Sequence, residues 1–274
     1  MKIVQKSDKK VSAQTETIID EPRIYHDALK MQDGDLNINS SYYPQQNHLL
    51  AALPKTDLAV LMPHLQLVQL PVGKMLFEPT ESQRYGYFPT SCVVSLQHML
   101  ESGRTSETAG VGNEGMVGTE LFMGSNSAPS GAVVQISGFA YQLESSILKQ
   151  MFNSNMELQS LLLRYVQVLM TQISLTAVCN RHHNLQQQLC RWLLLTLNRL
   201  PSNEINMTQE LVAGILGVRR EGITEVAGHL QNAGLISYRR GHIKVISRAG
   251  LEANVCECYE VLKKELSRLL PNSI

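Results

Sequence analysis

After a polar opening, the hydrophobic pattern divides the chain into three textures. Residues 1–46 hold no sustained period (Ser7-Asp8-Lys9-Lys10, Asp33-Gly34-Asp35). They read as a flexible tail unable to bury enough apolar surface to offset its ordering entropy. Leu49, Leu50, Leu53, Leu58, Leu61 and Met62 then recur at helical intervals, which predicts one short helix ended by Pro63. From 64 to 143 come short β-favouring runs at 66–70, 75–77, 85–88, 93–96, 132–136 and 139–143, separated by glycine and proline. Strands with frequent turns and no intervening helix predict an antiparallel sandwich or barrel.

Residues 154 to about 178 lack both glycine and proline, and predict one long helix. Leu158, Leu162, Tyr165, Leu169, Gln172 and Thr176 step along it by threes and fours. Such a seam suits a two-stranded coiled-coil dimer contact, and packing against its own domain is the alternative. A second helix is expected from Arg181 to Leu200, ended by Pro201-Ser202-Asn203. A final amphipathic helix aligns Leu251, Val255, Tyr259, Leu262, Leu266 and Leu269, with Lys263, Lys264 and Arg268 in its last turns, where cations complement the dipole.

Between these helices lies the stretch that points to chemistry. Thr208 is a plausible N-cap ahead of Glu210, and Leu211, Ile215 and Leu216 make one apolar stripe. Gly217 supplies a tight turn, and Ile223, Val226, Ala227 and Leu230 give a second helix its buried face. The other face of that helix carries Arg219, Arg220, Glu221, Thr224 and Glu225 near its start. Such side chains reach base edges in a major groove: arginine pairs with guanine, and glutamate accepts from the cytosine amino group. Gly234 ends the helix, and two β-like runs flank Arg239-Arg240-Gly241 as a wing whose arginines would meet phosphate.

Composition first speaks against this reading. The 274 residues carry 24 basic and 24 acidic side chains, a net charge of zero, with 43% hydrophobic and 18% charged residues. That is a globular composition, not a fibrous or wholly disordered one, and its length suggests two domains. The average hides a segregation. Residues 64–143 hold three basic against six acidic residues, a balance of −3, whereas 207–248 hold six against three, or +3. An acidic β segment and a basic helix-turn-helix segment offset each other in that sum.

No run of apolar residues is long enough to read as a membrane span, and the N-terminus lacks the apolar core of a secretory signal. Five cysteines (Cys92, Cys179, Cys190, Cys256, Cys258) show no disulfide framework. The expectation is a cytoplasmic protein with reduced thiols and no membrane partner. Thiolate and imidazole suit zinc, but the spacing of Cys179, His182, His183 and Cys190 fits no standard ligand set. Cys256 and Cys258, read as neighbours on a helix, would point about 200° apart. No metal and no cofactor are expected. No catalytic triad, phosphate-binding lysine loop or dinucleotide fingerprint stands in a fitting context, so no enzyme activity is expected.

The order roll, long helix, winged helix-turn-helix resembles the cyclic-AMP receptor protein and fumarate-nitrate regulator (Crp/Fnr) family of bacterial transcription regulators over most of residues 47–248. Thr208-Gln209-Glu210, the Gly217 turn and Arg220-Glu221 carry the likeness. It implies an α+β fold: a flexible tail (1–46), an antiparallel β-roll or jelly-roll effector domain (47–152), a dimerisation helix (153–178) and a winged helix-turn-helix (179–274). It also implies a homodimer reading a pseudo-palindromic operator in double-stranded DNA, with RNA polymerase as a further partner. The family reads bases with a further arginine four residues after the glutamate. Here that position is Glu225, which implies a different half-site preference.

In the roll, Val117-Gly118-Thr119 stands where the family's phosphate cassette has Gly-Glu, and Pro129-Ser130-Gly131 where it has Arg-Ser-Ala. Without that arginine there is no obvious counter-charge for a cyclic phosphate. The expectation is a small-molecule effector of unknown identity in a pocket drawn from Gly115, Gly118, Thr119, Glu120 and Ser130, rather than cyclic AMP held in the usual way. No cysteine precedes Cys92, which argues against the family's oxygen-sensing iron–sulfur cluster. The rival reading is a ligand- or metal-sensing module acting through protein contacts.

Overall fold

A computed structural model describes residues 43–270. Most of the segment expected to be a tail therefore lies outside the described residues. Its end does not behave as one: Pro44–Gln46 form a 3-10 turn with Pro44 buried. Two helices follow, not one, α1 (His48–Ala52) and α2 (Lys55–Leu61). Pro54 disfavours helical backbone at the residue before it, and Leu53 is extended there. Pro63 falls inside a 3-10 turn at Met62–His64. Buried Asn47 joins α1 to the roll. Its Oδ1 accepts from the Leu49 and Leu50 amides, while its Nδ2 donates to the Pro89 and Gly115 carbonyls at 2.9 and 2.7 Å.

The roll is two antiparallel sheets. β1 (Gln66–Leu70), β7 (Gly138–Glu144) and β3 (Tyr85–Pro89) form one in the order β1-β7-β3. β2 (Met75–Phe77), β6 (Gly131–Ile136), β4 (Val93–Met99) and β5 (Thr105–Val111) form the other in that order. Expectation missed only β5. Its first four residues, Thr105-Ser106-Glu107-Thr108, are polar and half-buried, so no apolar alternation marks it. Helix α3 (Ser145–Ser154) leads back to the long helix α4 (Met156–His182), which begins where the Asn155 side chain accepts from the Leu158 amide at 2.8 Å.

Helix α4 corrects the sequence reading in three ways. Its 27 residues include a window of mean hydropathy 1.4, long and apolar enough by composition to cross a membrane; uncharged Gln, Thr and Ser hide this from a search for pure apolar runs. Secondly, the seam assigned to a dimer partner is taken up inside the chain. Leu158, Leu162, Tyr165 and Leu169 are buried in the chain's own core. Gln172 Nε2 donates to the Gly110 carbonyl at 3.0 Å, and Thr176 Oγ1 accepts from Arg191 at 2.8 Å. The alternative, packing on its own domain, is what those residues do. Thirdly, the helix runs on to His182, past the expected end near residue 178, so the break falls at His183–Asn184 and the next helix starts at Leu185 rather than Arg181. His183 is extended, and Asn184 with Gln187 forms a capping box that starts α5 (Leu185–Leu197).

The remainder is a small three-stranded sheet, β8-β10-β9, with four helices. β8 (Glu204–Asn206) escapes a sequence reading because Ile205 is its one apolar residue; that side chain is buried opposite Ile243 of β10 (His242–Val245). α6 (Gln209–Leu216) and α7 (Arg220–Asn232) precede β9 (Ile236–Arg239). The last helical pattern is likewise two helices, α8 (Arg248–Asn254) and α9 (Glu257–Leu269), parted by extended backbone at Val255 and Cys256. Helix α9 packs along α4.

Candidate nucleic-acid interface

The helix-turn-helix is built as its residues dictate. Thr208 Oγ1 accepts from the Leu211 amide at 3.3 Å and caps α6. Gly217 closes that helix with φ +67°, a conformation that favours glycine, and the chain turns into α7. Ile223, Ala227 and Leu230 bury one side of α7, leaving Arg219, Arg220, Glu221, Thr224 and Glu225 exposed on the other. Sequence reasoning placed Gln209 in the motif without giving it a task. Its Oε1 accepts from Thr224 Oγ1 at 2.7 Å, and the same hydroxyl reaches the Arg220 carbonyl at 3.1 Å. Of these alternative acceptors for one hydroxyl proton, Gln209 links α7 to α6, whereas the Arg220 carbonyl lies within α7 itself.

The wing is a tight hairpin. Arg239 pairs with His242, and the two residues between them, Arg240 and Gly241, both have positive φ (50° and 79°). That is the geometry of a two-residue type I′ turn, which suits the twist of the strands but is strained at a non-glycine residue. Tyr238 Oη donates to the Met207 carbonyl at 2.9 Å and holds the wing beside the start of α6. The cleft between them, about 470 Å³, is lined by Thr208, Gln209, Glu210, Arg220, Tyr238 and Arg240. Recognition helix and wing tip therefore share one concave surface.

Charge on this surface is distributed unevenly. Lys244 and His242 are engaged with Glu204 at 3.0 and 3.4 Å. Arg248 is taken by Glu252 at 3.0 Å and by Asn198 and Tyr259. Arg219, Arg220, Arg239 and Arg240 are exposed, and among the described residues their side chains have no acidic partner. A guanidinium left in solvent without a carboxylate is free to take a phosphate or a base edge.

The expected effector residues present a different picture. Gly115 lies against Tyr165, where a Cβ would come within 2.4 Å of the ring, so the position is packed shut. Gly118, at φ +99°, opens a 3-10 turn over Thr119–Leu121, and the space around it is occupied by Gln83, Gly86 and Leu121. The Val117 amide and carbonyl are engaged with Tyr87, and Thr119 is buried. Half-buried Glu120 accompanies them, while half-buried Ser130 leads into β6 in the other sheet. What reasoning from sequence did not find is Gln83: both side-chain amide atoms are buried beside Gly118 with no hydrogen-bond partner.

A description of the Crp-like helix-turn-helix domain matches residues 187–254, from α5 through α8. Among solved structures, the chain is similar to a proposed transcriptional regulator of the crp/fnr family from Eubacterium rectale (TM-score 0.60, 16% identity, 79% of this chain and 99% of that one). It is similar to FixK2 from Bradyrhizobium japonicum (TM-score 0.59, 14% identity, 70% and 98%). It is also similar to a CRP-family transcriptional regulator from Thermus thermophilus (TM-score 0.59, 17% identity, 68% and 95%). A search of the curated proteins found no match by sequence. The fold of the described chain is that of the Crp/Fnr regulators, as its motifs led one to expect.

Proposed function

We infer that this chain, with its Crp-like helix-turn-helix domain and Crp/Fnr fold, is a sequence-specific DNA-binding transcription regulator that works as a homodimer. The observation that carries the reading is the surface shared by α7 and the wing, where Arg220 and Arg240 line one cleft and exposed Arg219 and Arg239 adjoin them in the chain. Arg220 and Glu221 read base edges. Thr224 holds Arg220's turn in place, with Glu225 beside it. Arg219, Arg239 and Arg240 hold phosphates, and the N-terminus of α6 at Thr208 faces the backbone.

The dimer forms through the side of α4 that its own domain leaves open. Met156, Leu163 and Met170 stand one heptad apart and are 84%, 51% and 62% exposed, with Ile173 and Val178 continuing the apolar surface. Exposed apolar side chains recurring every seven residues favour a second copy of the same helix. An effector held in the roll, or a partner such as RNA polymerase, would act by favouring one setting of the hinge at His183–Asn184. Cytoplasmic work on DNA needs none of the apolar length of α4 for a membrane. Neither the site nor the fold likeness calls for an enzymatic step.

Selection of bound duplexes from a randomised pool tests this. It should return a pseudo-palindrome with half-sites about 10–10.5 bp apart, or a multiple of that turn. Affinity for it should fall steeply with salt, and Arg239→Ala or Arg240→Ala, each removing two phosphate contacts per dimer, should each flatten the log–log slope by about 1.8. Salt-independent binding, or no enrichment of any sequence, contradicts the reading and favours action through protein contacts.

A further inference from the structure

Where α4 ends and α9 begins, the fold assembles four side chains that are far apart in sequence. Cys179 and His183 come from the last turn and cap of α4, Cys256 and Cys258 from the start of α9. Their ligand atoms all lie within 4.8 Å of one another. Cys179 Sγ is 3.6 Å from Cys256 Sγ, and Cys258 Sγ is 3.7 Å from His183 Nδ1. The helical argument against Cys256 and Cys258 fails because Cys256 is the N-cap of α9, with extended backbone (φ −79°, ψ 164°), and only Cys258 lies on the helix. Both thiols turn to the same side.

We propose that Cys179, His183, Cys256 and Cys258 bind one zinc ion as a closed, tetrahedral Cys3His structural site. Zinc bonds of about 2.3 Å to sulfur and 2.0–2.1 Å to nitrogen give tetrahedral edges of about 3.6–3.8 Å, which the two measured separations match. Three sulfurs and an imidazole form a soft, four-ligand set that suits zinc over oxygen-seeking calcium or magnesium. With four protein ligands no position stays open for substrate, so the role is structural.

The surroundings fit a metal better than they fit four idle side chains. His183 Nε2 lies 3.3 Å from Glu257 Oε2; donation of its proton to that carboxylate leaves Nδ1 as the lone pair facing the thiols. Gln188 Nε2 donates to the His183 carbonyl at 2.9 Å and also lies 3.5 Å from that of Cys179, holding the turn that carries both ligands. Zinc with three thiolates and a neutral imidazole carries one net negative charge. Buried Arg191 of α5 brings a guanidinium to α4: its Nη2 donates to Thr176 Oγ1 at 2.8 Å, and its Nη1 is buried with no hydrogen-bond partner. The ion would fasten α9 to the end of α4 beside the hinge at His183–Asn184. This inference does not depend on DNA reading.

The test is metal content of the full chain purified without chelator and supplied with zinc chloride. One zinc per chain is expected, falling below one-tenth in Cys179→Ala and Cys256→Ala, while Cys190→Ala, a buried thiol outside the four, keeps its zinc. Glu257→Gln should weaken zinc affinity by about 10–100-fold. Refilling the unmutated, zinc-stripped chain with cobalt(II) makes the result independent of how the variants fold. Thiolate-to-cobalt charge transfer with tetrahedral d–d bands supports the site. A chain that takes up no zinc, a six-coordinate cobalt spectrum, a Cys179–Cys256 disulfide in the zinc-supplied protein, or full zinc retention in both alanine variants would overturn it.

Discussion

Two sets of arginines in this chain face opposite circumstances. Arg199 is enclosed: its Nε and Nη2 meet Glu114 Oε1 at 2.8 Å, Nη2 also meets the Gly110 carbonyl at 2.8 Å, and its side chain is 7% exposed. Gly112 exists to admit it, since a Cβ there would lie 2.6 Å from its Cγ. Arg219, Arg220, Arg239 and Arg240 are exposed, with no acidic partner among the described residues. The same functional group thus joins the roll to the reader in one place and is kept available in the other. The difference shows which cations the fold consumes and which it leaves for a ligand, something net charge cannot reveal.

Breaking the enclosed set should be the costlier change. Arg199→Ala leaves half-buried Glu114 with the Gly112 amide but no cation, and stability should fall by about 3–5 kcal/mol in denaturant titration. A loss within that of an exposed substitution would mean the junction does not rest on this pair. Next in size, Leu163→Glu with Met170→Glu places charge on the open side of α4. Sedimentation should show monomers, and operator affinity should drop by about 10²–10⁴-fold as two-site binding is lost. A dimer that survives both substitutions would put the interface elsewhere.

The smallest effect belongs to the acid near Arg199. Removal from water raises the pKa of Glu107, although Gln135 donates to it at 3.0 Å and Arg199 and Arg191 oppose the shift. Between the ordinary carboxylate value of about 4.3 and the raised folded one, the folded chain holds a proton that the unfolded chain has released. The contribution of Glu107 to stability therefore declines as pH rises through that window. Glu107→Gln should flatten the decline of Tm with rising pH above about 4.3; an unchanged slope would show that the carboxyl is not the cause.

How much of this was legible beforehand follows the range of the interactions. The helix-turn-helix was, because Thr208 and Gly217 act through bonds within a few residues of themselves. Six of seven roll strands were, through glycine-bounded apolar runs, while β5 hid behind a polar first half. The face of α4 was not: Leu158, Leu162, Tyr165 and Leu169 form a seam by spacing, and only the packed roll shows that the chain itself fills it. The Cys3His cluster was furthest from sight. Its halves stand more than seventy residues apart, and its convergence depends on one residue, Cys256, leaving the helix its neighbours suggest.

Arg220→Ala offers the most direct test of the central claim, that an unpaired arginine on α7 reads bases. Binding should be measured on the selected operator and on a scrambled duplex at the same salt. A loss of about 1–3 kcal/mol on the operator with a much smaller loss on the scrambled duplex is the predicted result. Equal losses on both would reduce Arg220 to a phosphate contact and contradict the account.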